Sequence, residues 1–355
     1  MIGVHNLLDN PKVYQRLDHS GMLKHLHQFP TECQQAWERG VDFGLSLRYS
    51  QVNKAIVLGM GGSAIGGQLL RRLAILEGEI PVWVHQDYDL PPFVDEHTLI
   101  IASSYSGNTE ETISSFTESL KTPAKKIAIT AGGKLRDQAE QAGIPVLLIN
   151  YQAPPRSAFP HSFFSLVGIF HELGLLCIKP ADLMEAIEIL NNLSAELRET
   201  SPSISNPAKQ LATSLLGRLP VIYGAGILSE VAQRWKTQLN ENSKTGAFCD
   251  VFPELGHNAV VGYEYPHESR ERILTIFLHS FLLHPRISQR YAATTALLDR
   301  LGINYAMVEA GGKTPLAQMM SLVLFGDYVS LYLAMLNGVD PTPTEPIEYL
   351  KNHLS

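Results

Sequence analysis

The sequence is poor in cysteine. Cys33, Cys177 and Cys249 are the only three in 355 residues; they stand too far apart for paired zinc or redox spacing, and an odd number argues against a disulfide framework. A reducing compartment, the cytoplasm by default, is expected. Basic excess is missing too: 28 Lys and Arg face 35 Asp and Glu, a formal charge of −7, so nucleic acid is not an expected partner. No apolar run is read as reaching the ~18–20 residues of a membrane span. The opening MIGVHNLLDN has no basic stretch ahead of an apolar one, so no signal peptide is expected. HExxH is absent and no His or Cys cluster has ligand spacing, so no metal site is expected. Low-complexity runs are also lacking, so the 27 Gly and 21 Pro read as punctuation of defined turns. What remains is a mildly acidic chain, 45% hydrophobic, long enough for about two domains with their own cores.

Residues 1–50 read as a helical segment, with Leu23, Leu26, Cys33, Trp37 and Phe43 at roughly helical spacing and Pro30 interrupting them. The pattern then changes. AIVLGM (55–60), IPVWVH (80–85), TLIIAS (98–103), KIAIT (126–130) and IPVLLI (144–149) are short β-branched runs bounded by Gly, Pro or Asn, most of them separated by helix-length segments. Near-continuous apolar strands alternating with helices predict a parallel sheet covered on both faces. A first α/β domain is therefore expected over 51–160, then a helical connection over 161–207 whose polar end SPSISNP reads as an inter-domain link. Strand-like runs resume in LPVIYGAG (219–226), AFCDVF (247–252), RILTIFL (272–278) and INYAMVE (303–309), predicting a second α/β domain over 208–312 and C-terminal helices over 313–355. AIVLGMGGSAIGGQLL (55–70) and PVIYGAGILSEVAQRW (220–235) share a strand, a Gly-x-Gly turn and a helix, which points to duplication.

Two loops carry the chemical signal. Gly59-Met60-Gly61-Gly62-Ser63-Ala64 fits the dinucleotide fingerprint, with Asp87 some way downstream. It equally fits a plain tight turn. The loop after the third strand, Ser103-Ser104-Tyr105-Ser106-Gly107-Asn108-Thr109-Glu110, is more telling. Ser104, Ser106 and Thr109, with the N–H groups of a helix start, make a compact anion cradle without Lys or Arg. That suits one phosphate monoester better than a triphosphate. Both loops are expected at the carboxyl edge of one sheet, where open α/β folds bind ligands.

GMGGSAIGG and SSYSGNTEET resemble the phosphosugar-binding SIS fold. Together with ENSKT (241–245), PELGHN (253–258) and GVDPTPTEPIEYLK (338–351), they resemble the bifunctional phosphoglucose/phosphomannose isomerases from about residue 50 onward. The resemblance implies two doubly wound SIS-type α/β domains with parallel sheets, flanked by helical N- and C-terminal segments. It also implies a cofactor-free sugar-phosphate isomerase of glycolysis and gluconeogenesis, acting as a homodimer. One departure is Ala259, which follows His-Asn where the family usually carries an acidic residue, so a local loop difference is expected.

Interconverting an aldose and a ketose phosphate requires opening the ring, moving a proton between C2 and C1, and stabilising the enediolate. Phosphate is expected on Gly62, Ser63, Ser104, Ser106 and Thr109. By resemblance Glu241 is the proton-transferring base. Val231, Trp235 and Leu239 precede it on one helix face and put it near the carbonyl end, a setting that suits a proton acceptor. His257, a residue type that titrates near neutrality, corresponds to a family histidine that opens the ring from the neighbouring subunit. Arg156 corresponds to the guanidinium that stabilises the enediolate. Lys351 matches a lysine associated with the ring oxygen and hydroxyls, and Thr344 a position that leaves room for both C2 epimers. Three rivals stand beside this reading: a single-specificity isomerase, a non-catalytic SIS sugar-phosphate sensor, and a nicotinamide dehydrogenase built on Gly59–Ala64.

Overall fold

Strands buried on both faces need apolar side chains at every position, and the short β-branched runs of this chain meet that need. The computed structural model describes residues 7–354. It contains two compact units, Gln28–Ile187, and Met1–His27 with Glu188–Ser355. Helices α1 (Pro11–Leu17) and α2 (Met22–Val41) come first, and the unit boundary falls within α2. Pro30 does not interrupt α2; it lies inside the helix. Leu26, Phe29, Cys33, Ala36 and Trp37 are all buried along α2. That burial outweighs the backbone hydrogen bond that a proline forfeits.

In the unit Gln28–Ile187, β1 (Lys54–Leu58), α3 (Gly61–Glu77), β2 (Val82–His85), β3 (Thr98–Ser103), α4 (Glu110–Ser119), β4 (Lys125–Thr130), α5 (Gly133–Gln141) and β5 (Val146–Leu148) alternate, followed by α6 (Phe159–Glu172). The sheet runs β2-β1-β3-β4-β5, all parallel. One face closes over Ile56, Leu58, Ile100, Ala102, Phe116 and Leu135. On α3, Gly66 and Gly67 set the layer spacing: a Cβ at Gly67 would stand 2.8 Å from Val57 Cγ1, and one at Gly66 would stand 2.9 Å from the Ser162 carbonyl of α6. Only bare backbone fits between β1 and α6.

After α7 (Pro180–Glu196), the other unit contains α8 (Pro207–Leu215), β6 (Leu219–Ala225), α9 (Ser229–Ser243), β7 (Phe248–Phe252), β8 (Ile273–His279), α10 (Pro285–Leu301), β9 (Asn304–Glu309), α11 (Pro315–Asn337) and α12 (Glu345–Leu354). Its sheet is also parallel, in the order β7-β6-β8-β9. Residues 201–207 lie inside this unit, where the Asn206 side chain caps α8 by accepting from the N–H groups of Ala208 and Lys209. Lys209 is fully buried. Its Nζ donates to the carbonyls of Leu8, Glu199 and Ser201 at 2.8 Å and to the Asp9 carboxylate at 2.9 Å, holding the start of the described chain to this unit.

Helix α11 corrects the sequence reading that no run is long and apolar enough to span a membrane. By length and composition this helix is, but 89% of its most apolar stretch is buried inside the protein. It is apolar all round because it is a core helix. Its polar side chains find partners: Arg234 of α9 donates to Asp327 at 2.5 Å, Asn242 Nδ2 donates to Ser330 Oγ at 2.9 Å, and Gln318 Nε2 donates to the Gly312 carbonyl at 3.0 Å. Arg234→Met would leave the Asp327 carboxylate buried without its cation. Urea unfolding should then show a loss of about 3–5 kcal/mol; unchanged stability would mean that Asp327 is protonated or hydrated in the fold.

Candidate active site

The two loops singled out above emerge side by side at the carboxyl edge of the first sheet. A Cβ on Gly59 would lie 3.0 Å from the Ser103 carbonyl. Gly61 opens α3 at φ +51°, a value glycine reaches without strain. The N–H groups of Gly61 and Gly62 are first-turn donors without an intrahelical acceptor, while those of Ser63 and Ala64 return to the Met60 carbonyl. In the hydroxyl loop Ser104 is buried; its Oγ pairs with Thr109 Oγ1 at 2.9 Å and accepts from the Gly107 N–H. Thr109 is the N-cap of α4 but makes no side-chain cap bond, so the first donors of that helix face the loop uncapped. Ser106 is exposed and its Oγ accepts from Asn108 N–H.

Sequence reasoning overlooked the loop that supports this cradle. Gly132 and Gly133, after β4, pass directly behind Gly107: a Cβ on Gly107, at φ +67°, would stand 1.7 Å from the Gly132 carbonyl oxygen. Thr130 Oγ1 donates to the Gly132 carbonyl, Asn108 Oδ1 accepts from Lys134 N–H, and Leu135 N–H donates to the Gly107 carbonyl. The Gly-Gly pair at a strand's carboxyl end was the available signal. Gly107→Ala should lower stability by roughly 2–6 kcal/mol through left-handed strain and overlap. Urea unfolding reads this directly, and a variant as stable as the parent would show that the two loops separate freely.

Arg156 belongs to the same unit and the same edge. It sits in a short 3-10 turn, Pro155–Ala158, and is 4% exposed. Gly62 brings α3 against this turn, a Cβ there lying 3.1 Å from the Pro155 carbonyl, and Ser162 Oγ donates to the Gly62 carbonyl at 3.1 Å. Gly62, Ser63, Ser104, Ser106, Thr109 and Arg156 are therefore gathered at one edge. Behind them, buried His161 shares a 3.0 Å hydrogen bond with Glu32 and packs on the Tyr151 ring. Burial pulls the imidazole down to about 4 and pushes the Glu32 carboxyl up. As pH falls from 6.5 to about 4, the unfolded chain protonates this histidine and the native one does not. Its contribution to stability is thus lost over that window, partly offset by Glu32. NMR of the folded protein should find the His161 ring neutral down to about pH 4; a midpoint near 6.5 would contradict its burial.

The other unit holds the remaining expected residues. Glu241 lies in the last turn of α9 and is half-buried. The rest of its motif anchors it. Asn242 Nδ2 donates to Ser330 Oγ of α11 at 2.9 Å, and the Ser243 carbonyl accepts from Asn337 Nδ2 at 2.9 Å. Lys244, the C-cap, adopts φ +57°, a left-handed conformation rare outside glycine. Its Nζ donates to the carbonyls of Glu241 and Pro341, joining this helix end to the turn that precedes Thr344 and α12. Thr344 is half-buried; Lys351, on α12, is exposed. His257 is exposed at the end of a 3-10 turn, Glu254–His257. Ala259, the departure noted above, packs with Val260 against the core around Tyr263 and Phe277.

Among the described residues no group of three or more His, Cys, Asp and Glu is arranged for a metal ion. An open cavity of about 350 Å³, lined by Arg48, Lys125 and Lys126 among others, lies at the amino edge of the first sheet, away from these loops. Its lysines are committed to backbone carbonyls, Lys125 to Gln51 and Glu96, and Lys126 to Thr122 and Ala124.

Residues 204–354 match the model of the bacterial phospho-glucose isomerase C-terminal SIS domain. Over 337 residues the chain is 41% identical to the bifunctional phosphoglucose/phosphomannose isomerase of Caldicellulosiruptor bescii, covering 94% of this chain and 99% of that one. The chain belongs to the bifunctional phosphoglucose/phosphomannose isomerase family. The Aquifex aeolicus isomerase of the same name is 35% identical over 303 residues, 85% of this chain and 90% of that one. Among solved structures, a Thermus thermophilus protein described as hypothetical aligns with a TM-score of 0.75 at 17% identity, covering 99% of this chain and 93% of that one; this likeness bears on the fold alone. Family membership fits the two parallel sheets and the paired loops of the first one.

Proposed function

We propose that this protein is a sugar-phosphate isomerase that interconverts glucose 6-phosphate and mannose 6-phosphate with fructose 6-phosphate. The observation that carries the reading is the 41% identity, over nearly the full length of both chains, to an isomerase of that name. The cradle adds independent support: uncapped helix donors and three clustered hydroxyls, without a lysine, suit a single phosphate monoester.

In this reading Gly62, Ser63, Ser104, Ser106 and Thr109 hold the phosphate, and the energy of that remote contact is spent on orienting the sugar. Glu241 moves the proton between C1 and C2 through a cis-enediol. Arg156, permanently charged, offsets the charge that develops on the enediolate oxygens. His257 of the partner subunit opens the ring, so the homodimer is the catalytic unit, and Lys351 attends the ring oxygen. Thr344 leaves room for the two C2 epimers. The isomerisation is redox-neutral overall, so this reading assigns no role to a redox cofactor. The cytoplasm is the compartment we assign with this reading, in keeping with the three cysteines of the sequence, too far apart for paired spacing.

Fructose 6-phosphate incubated with the protein and EDTA should yield both glucose 6-phosphate and mannose 6-phosphate in coupled assays. Glu241→Gln should lower kcat about 10²–10⁴-fold, the usual contribution of a positioned general base. Glucose 6-phosphate alone would narrow the assignment to a single-specificity enzyme. A folded protein that binds fructose 6-phosphate without turnover would overturn the assignment in favour of a sensor.

A further inference from the structure

The phosphate cradle and Arg156 are joined by a residue that neither holds phosphate nor carries charge. Tyr105 lies in the hydroxyl loop between Ser104 and Ser106 and is half-buried. Its phenol reaches the turn that leads to Arg156: Oη donates to the Tyr151 carbonyl at 2.6 Å and accepts from the Ala153 N–H at 3.0 Å. Its own carbonyl accepts from Ala131 N–H at 3.0 Å, so the backbone from which the phenol projects is fixed by the loop after β4. Ala153 is followed by Pro154 and Pro155 and then Arg156. Two prolines fix two consecutive φ angles, so the position of Ala153 passes to Arg156 through a stiff segment. Tyr151 is held at the other end of this turn by its ring contact with His161, at 5.0 Å between centroids.

We infer that Tyr105 is a positioning residue for Arg156, tying the loop that receives phosphate to the turn that carries the guanidinium. The inference rests on the isomerase reading for its kinetic consequence, but the coupling itself does not. With its hydroxyl engaged by two backbone groups, the phenol is neither acid nor base in the reaction. It makes phosphate binding and placement of the cation one event. A charged group misplaced by a fraction of an ångström stabilises the enediolate less without weakening ground-state binding in proportion.

The test is Tyr105→Phe, which keeps the ring and removes both hydrogen bonds. With fructose 6-phosphate as substrate, kcat should fall roughly 10- to 100-fold while KM stays within about twofold of the parent, the pattern of a lost transition-state interaction. In an Arg156→Lys background the same change should alter kcat by less than about twofold, because residues acting through one another are not additive. Equal losses in both backgrounds, a rise in KM alone, or full activity of Tyr105→Phe would each overturn the assignment. A second arm needs no turnover. Inorganic phosphate should slow hydrogen exchange at the amides of Ala153, Arg156, Ser157 and Ala158 in the parent and fail to do so in Tyr105→Phe. Equal protection in both proteins would overturn the coupling. A parent without isomerase activity would instead contradict the functional reading, leaving exchange to decide the coupling.

Discussion

The candidate site depends on one close approach. Gly107 passes so near the Gly132 carbonyl that no side chain fits between them, and it does so in a left-handed conformation. That contact folds the hydroxyl loop back onto the loop after β4 and turns Ser104 and Thr109 toward each other. The Thr109 hydroxyl is thereby drawn away from capping α4. Helix donors are left for a ligand because the residue that would ordinarily satisfy them is used elsewhere. The candidate cradle is thus built from backbone geometry, which the bare backbone of Gly107 makes possible.

The second unit shows what the same frame does without that constraint. Its sheet repeats the central order, with the first strand flanked by the second and third, and Gly226 opens the helical turn after β6 at φ +51°, as Gly61 does after β1. Leu58 pairs with Ala102 in one sheet and Tyr223 pairs with Phe277 in the other. Counting on from these pairs, His279, Phe281, Leu282 and His284 stand where the first unit has Ser104, Ser106, Gly107 and Thr109. The following helix starts at the corresponding place, with His284 at its N-cap where the first unit has Thr109. The His284 side chain accepts from the Arg286 N–H, a cap bond that Thr109 does not make. In the loop before that helix Phe281 and Leu282 stand in place of Ser106 and Gly107, so the repeated strand order presents different side chains at this edge. In this unit the carbonyl end of α9 carries Glu241.

Much of this was legible in the chain. The inner strands β1, β3, β4, β6 and β8 appear as short apolar runs because they are buried on both faces, while the edge strands β2, β7 and β9 stay partly exposed. The glycines of GMGGS and the hydroxyls of SSYSGNT announced two strand-to-helix turns, because glycine permits the tight turn and Ser and Thr suit a helix start. The support was not legible. Tyr105 meets Tyr151 and Ala153 across nearly fifty residues, and Gly107 meets Gly132 across twenty-five, contacts that no local pattern encodes. Pro30 reads locally as a break, yet the burial along α2 carries the helix through it. Helix α11 escaped notice as a candidate span because scattered Gln, Ser and Asp interrupt its apolar run; its burial and the Arg234–Asp327 pair explain how those polar groups are accommodated. Lys244 gave no sign of its left-handed cap, since its compensation comes from the carbonyls of Glu241 and Pro341.

Phosphate should be received at the first sheet's carboxyl edge and not on a cationic surface. Titrating inorganic phosphate into isotopically labelled protein and following the backbone amides tests this most directly. Saturable shifts are expected at Gly61 to Ala64 and at Ser106 to Glu110, with the amides of Lys125 and Lys126 unmoved. Shifts confined to the amino-edge cavity around Arg48, Lys125 and Lys126, with the two loops silent, would contradict it.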